Sequence, residues 1–187
     1  KPEGRKKIKQ IKNNINMFAA HTNLDAAKGG TNDVLAEMIG LKNLTVLSEG
    51  CEDGIGIGKI GYFEGDMTLG MLSVKIKEAL GLDAVRVIGN LSSKVEKAAL
   101  CTGAGGEFMD DAVREGCDVF ITSDIRYHEA MDAVDKKIAL IDATHYATEN
   151  IIVPVIAQYL RKKLETRGIK DVEVIETTVN GQPFVHI

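Results

Sequence analysis

Two runs, CDVFITSD (117–124) and KIALIDA (137–143), limit the folds open to this chain more than any other feature. Both are apolar at consecutive positions with no wet face, which suits strands of a sheet covered on both sides by helices. Segments of helical period flank them. EFMDDAVREG (107–116) closes on Gly116, IRYHEAMDAVDK follows the first run, and THYATENIIVPVIAQYLRKKL follows the second, with a break expected near Val153 because of Pro154. Upstream, NMFAAH (16–21) reads as a strand. TNDVLAEMIGL reads as a helix capped by Thr31 or Asn32 and stopped by Gly40, and MLSVKIKEALG (71–81) as a second helix. DAVRVIG (83–89) is the next strand, and KAALCTGAGG (97–106) runs from strand into a glycine turn. GIGIGKIGYF reads as a glycine-rich strand or hairpin; the turn EGDMTLG follows it instead of a helix, which argues against a dinucleotide fingerprint. VEVIETTVNGQPFVHI predicts a terminal hairpin about Asn180 and Gly181. This alternation predicts an α/β fold, a largely parallel sheet flanked by helices with a C-terminal β-hairpin, in a single unit over residues 1–187.

Composition narrows the function classes. With 44% hydrophobic and 27% charged residues the chain is ordinary for a globular domain, and no apolar run approaches the roughly 18 residues of a membrane helix. A net charge of -4 disfavours nucleic acid as a partner, and the basic opening KPEGRKKIKQIKNN reads as a solvated segment or helix flank. Cys51, Cys101 and Cys117 show no C-x-x-C spacing, so a reducing, cytoplasmic location is the default expectation.

Ligands of open α/β sheets bind beyond the carboxyl ends of the strands. Three strand-to-helix junctions carry reactive side chains there: His21 and Asp25 in AAHTNLD, Asp124 and His128 in VFITSDIRYH, and Asp142, His145 and Glu149 in IALIDATHYATE. His145 and Glu149 stand four apart, so on a helix they share one face and either grip an ion or pair on a wet surface. Taken singly, each junction is explained by helix capping. Taken together, carboxylates and imidazoles suit Zn, Mn, Fe or Ni, and two such ions can activate water between them. The turn CTGAGGEF lacks the Lys and Ser/Thr of a P-loop; it serves either tight helix packing or contact with a phosphate.

AHTNLDAAKGGTNDVLAEMIGL, GIGKIG, TGAGG, DVFITSDIRYHEAMDA and IDATHYATE, in that order, resemble the NIF-three-like family, whose members are also called GTP cyclohydrolase 1 type 2 homologues. The resemblance implies a dinuclear metal protein assembled as a homohexameric ring. It places Asp25, His145 and Glu149 on metal-ligand positions, Glu149 bridging two divalent ions. His21, Asp124 and His128 fall on cleft positions suited to catalytic proton transfer. It further implies hydrolysis of a nucleotide or another phosphate-containing small molecule, GTP ring opening among the possibilities; a ring-shaped, non-catalytic metal-binding regulator or scaffold is the alternative. Two departures stand out. The family's upstream His-His pair is not in this sequence, from which a preceding N-terminal portion is expected, and Ser123 and Thr144 replace residues that are commonly glycine.

Overall fold

The computed structural model describes residues 2–50 and 55–184. In chain order the elements are α1 (Pro2–Lys12), α2 (Thr22–Asp25), α3 (Thr31–Met38), β1 (Lys42–Glu49), β2 (Gly56–Tyr62), α4 (Leu69–Ala79), β3 (Arg86–Ile88) and β4 (Lys97–Leu100). A 3-10 turn (Gly106–Phe108) then leads into α5 (Met109–Arg114), β5 (Val119–Thr122), α6 (Tyr127–Lys136), β6 (Ala139–Asp142), α7 (His145–Asn150) and α8 (Ile152–Thr166).

The two runs that constrained the fold lie side by side in the middle of a six-stranded sheet, ordered β1-β2-β4-β5-β6-β3. On β5, Val119 and Ile121 enter one core with Leu35, Leu72, Ile76 and Leu100, while Phe120 enters a second with Met109, Ala112, Ala133 and Leu140. Alternate side chains of a strand point to opposite faces, so a strand buried at every position needs helices over both. Each large side chain so buried contributes roughly 1.5–3 kcal/mol. The α/β fold with a helix-flanked sheet therefore follows from the residues that suggested it.

Strand direction differs in part. β4–β5 and β5–β6 are parallel, but β1–β2, β2–β4 and β3–β6 are antiparallel, so the sheet is mixed and its parallel part is the centre. β1 gives no apolar run to read, because only Leu47 among its eight residues is fully buried. Residues 16–21, expected as a strand, belong to no strand, with Met17 68% and Phe18 88% exposed. Residues 169–184 contain no strand, so the expected terminal hairpin is not formed among the described residues; His186 and Cys51 lie outside them.

Helix ends follow local chemistry. Thr68 caps α4, accepting from the Met71 N–H at 3.2 Å. Gly40, at φ 76°, ends α3 in the left-handed conformation. α7 gives way to α8 at Ile151, which leaves Pro154 in the first turn of α8, where its missing N–H has no partner to lose. Neither Thr31 nor Asn32 caps α3. Gly30 holds the N-cap position, where a Cβ would lie 1.9 Å from the Leu24 carbonyl oxygen.

Asn32 turns inward instead. Fully buried, it donates to the Asp25 carbonyl at 3.0 Å and accepts from the Thr102 N–H at 2.9 Å, tying the end of α2 to the end of β4. Asn32→Ala would leave that N–H and that carbonyl unsatisfied at about 1–3 kcal/mol each, so a loss of about 2–4 kcal/mol in urea unfolding is expected. A loss below about 0.5 kcal/mol, the range of a surface change, would contradict this role.

Candidate metal centre

The site is built around the glycine turn that follows β4. Three of its N–H groups are engaged within the fold: Thr102 donates to Asn32, Gly103 to Thr148 Oγ1 at 3.1 Å, and Gly105 to Thr122 Oγ1 at 2.9 Å. The Gly103 carbonyl in turn accepts from the Ser123 N–H at 3.1 Å and from the Ser123 hydroxyl. These bonds give the turn a packing role. It fastens β4, β5 and α7 to one another through side chains that are almost completely buried: Thr122, Ser123 and Thr148.

Against Gly103 lie the two side chains singled out by their spacing. His145 Nε2 is 3.1 Å from Glu149 Oε1, and a Cβ on Gly103 would come within 2.6 Å of that same oxygen. Gly103 also sits at φ 68°, so the close approach and the backbone conformation both call for glycine. On its other side His145 Nδ1 is 2.7 Å from Asp124 Oδ2. A carboxylate at Nδ1 favours the proton there and leaves Nε2, on the Glu149 side, as the nitrogen that a metal ion could take, the arrangement that orients histidine for a metal ion. Side-chain exposures of 44%, 40% and 53% for His145, Glu149 and Asp124 leave the cluster open to ligands.

Asp142, only 4% exposed, fixes the loops that carry these groups. Its carboxylate accepts from the Ile125 and Thr144 N–H groups, each at 3.1 Å, and pairs with Arg86 from the neighbouring strand β3. The turns it holds are strained. Asp124 lies at φ 57° and Thr144 at φ 61°, ψ 141°, a region costly for a β-branched residue. Glycine would take that conformation without strain; here Thr144 Oγ1 is also buried without a hydrogen-bond partner among the described residues.

Asp124, His145 and Glu149 thus form one cluster on the wall of a cavity of about 770 Å³, which Arg86, Tyr146 and residues 181–184 also line. Asp25 is joined to it indirectly, through Asn32 to Thr102 beside Gly103. His21 precedes α2 and His128 stands in the first turn of α6; both are exposed and neither bonds to the cluster. Among the described residues no three His, Cys, Asp or Glu side chains form a complete metal-holding group. The donors present nevertheless fit a divalent ion as a partial site: one oriented imidazole nitrogen and one carboxylate share a face kept clear by Gly103. Cys101 is no part of it. Burial, and then the charges of Asp25 and Glu107, push its thiol up to about 12. Sequence reading missed Asn32, Thr148, Gly103 and Arg86, whose roles are contacts across the fold.

Burial of His145 acts to lower its pKa, but the Asp124 hydrogen bond and the charges of Glu149 and Asp124 outweigh this and raise it above 6.5. The metal-free fold therefore gains stability from protonated His145 below pH 6.5 and loses it as pH rises through the folded-state value. NMR titration of metal-free protein should show this histidine titrating above the ordinary range, with Asp124→Asn lowering it. A value at or below the ordinary range in the unmodified protein would contradict the Asp124 contact.

The model of the family Duf34/NIF3 (NGG1p interacting factor 3) matches residues 1–183. A Clostridium acetobutylicum protein called GTP cyclohydrolase 1 type 2 homolog is 36% identical over 183 residues, covering 97% of this chain and 68% of the relative. One of the same name from Streptococcus pneumoniae serotype 4 is 32% identical over 191 residues, covering 100% and 71%. Among solved structures, a Staphylococcus aureus hypothetical protein superposes with a TM-score of 0.88 at 28% identity, over 96% of this chain and 71% of that one. Reduced HcgD from Methanocaldococcus jannaschii gives 0.70 at 28% identity, over 83% and 60%. The glycine turn, the HTNLD loop and the His145–Glu149 face all lie within the matched residues, and the chain belongs to the Duf34/NIF3 family.

Proposed function

We propose that this chain is a metal-dependent hydrolase that holds two divalent ions, Zn, Mn, Fe or Ni, with Asp25, His145 and Glu149 as part of the ligand set. The substrate is a nucleotide or another phosphate-containing compound, with GTP ring opening the reaction suggested by the name of the relatives. One observation carries the reading: His145, held at Nδ1 by Asp124, turns Nε2 to Glu149 over a glycine that cannot be enlarged. As a surface ion pair this would contribute only about 0.3–0.5 kcal/mol, too little to account for two strained turns aimed at it.

Bound divalent ions would supply Lewis acidity and bring the pKa of water near neutrality. The chain's own groups do the rest. Asp124 keeps the proton on Nδ1 and can accept it, which makes it a proton-transfer group as well as a positioning one. Glu149, with two carboxylate oxygens, is suited to bridging. His21 and His128, exposed at the starts of α2 and α6, are the further proton-transfer groups of this proposal. A homohexameric ring completes it.

Full-length protein is expected to retain close to two metal equivalents and Glu149→Ala to lose at least one. Unchanged metal content in Glu149→Ala would overturn the ligand assignment. Nucleotides and phosphoesters assayed with Mn, Zn, Fe and Ni then decide the class: metal-dependent turnover supports the hydrolase, and metal retention without turnover assigns the ring-shaped metal-binding protein instead.

A further inference from the structure

We propose that Arg86 is the anion-binding residue of the cavity beside His145 and Glu149, and that it receives a phosphate group of the ligand. This rests on the metal-site reading of the same cavity and deepens it. Arg86 is the one arginine or lysine among the described residues lining that cavity, which Asp124, Asp142 and Glu149 also line. It is not a free surface arginine. Its Nη2 donates to the Ile125 carbonyl at 3.0 Å and pairs with Asp142, directly opposite it in the β3–β6 ladder.

Both contacts are made through Nη2 alone. With the side chain 68% exposed, Nε and Nη1 have no partner among the described residues and remain available as donors. Asp142 does not need Arg86 for hydrogen bonding, because two backbone N–H groups already reach its carboxylate. A guanidinium so fixed at Nη2 presents Nε–H and Nη1–H as separate donors beside its positive charge, each able to take a phosphate oxygen, while both of its bidentate edges include Nη2 and are already engaged. Around it the cavity offers the Tyr146 ring and the Phe184 side chain, apolar surface for a planar group, in a volume of about 770 Å³ that accommodates a nucleotide-sized ligand. The chemistry assigned is therefore a phosphate oxyanion, free or carried on a nucleoside.

The test titrates inorganic phosphate and, separately, GMP into the full chain, zinc-loaded and metal-free, following the Arg86 Nε–H resonance and the dissociation constant. The expected result is a saturable movement of that resonance in the zinc-loaded protein. Arg86→Gln should weaken phosphate binding about tenfold or more. Arg86→Lys, which keeps a cation beside Asp142 and hence the fold, should weaken it to an intermediate degree with zinc content unchanged. GMP binding more tightly than phosphate identifies the nucleoside as part of the ligand; equal affinities identify phosphate alone, and either supports Arg86. A stationary Arg86 resonance, undiminished affinity in both variants, or no phosphate binding under either condition overturns the inference. Zinc retention is read separately: protein that takes no zinc but moves Arg86 on phosphate addition sinks the metal reading and leaves this one standing.

Discussion

The close contact of Gly103 with Glu149 and His145 is the constraint on which the rest of the structure depends. A side chain at 103 would overlap the carboxylate, and the carbonyl of the same residue is held by Ser123 while its N–H is held by Thr148. Three secondary elements therefore meet at one residue with no side chain. Through Thr102 and Asn32 the same turn reaches the Asp25 backbone, so the HTNLD loop is placed by the hydrogen bonds that close the turn.

Energetics separate support from function in this region. Asn32, Thr122, Ser123, Thr148 and Asp142 are buried and bonded, and they stabilise the loops in the ordinary way, since a buried polar group is tolerated when it is satisfied. Asp124, His145 and Glu149 are exposed enough that their mutual attraction adds little stability. Left-handed backbone at Asp124 and Thr144 costs stability. A buried scaffold that holds strained turns and exposed, prearranged polar groups is what supports the proposed ligand site. The Arg86–Asp142 pair belongs to the lining of the same cavity.

The central strands and most helices were legible because they rest on local pattern: dense apolar runs for β5 and β6, helical period for α3 to α6. His145 and Glu149 were legible for the same reason, their spacing being set by the helix itself. What failed depended on partners. The run at 16–21 has the apolar content of a strand, yet no described strand pairs with it. β1 buries one side chain and so leaves no run to detect, and the antiparallel outer strands follow from connections that composition does not encode. Asn32 resembles a helix cap in sequence; its hydrogen bond to Thr102 spans 70 residues and is visible only in the folded chain. The strain at Thr144 likewise shows only in the backbone, at φ 61°, and not in the residue type.

The most direct test is anomalous X-ray scattering from crystals of the full-length protein grown with zinc. Peaks should stand roughly 2.0–2.2 Å from His145 Nε2 and a Glu149 carboxylate oxygen, with the Asp25 carboxylate turned to the same ions. No peak at Gly103, or one there with Asp25 directed into solvent, would contradict a shared cation site.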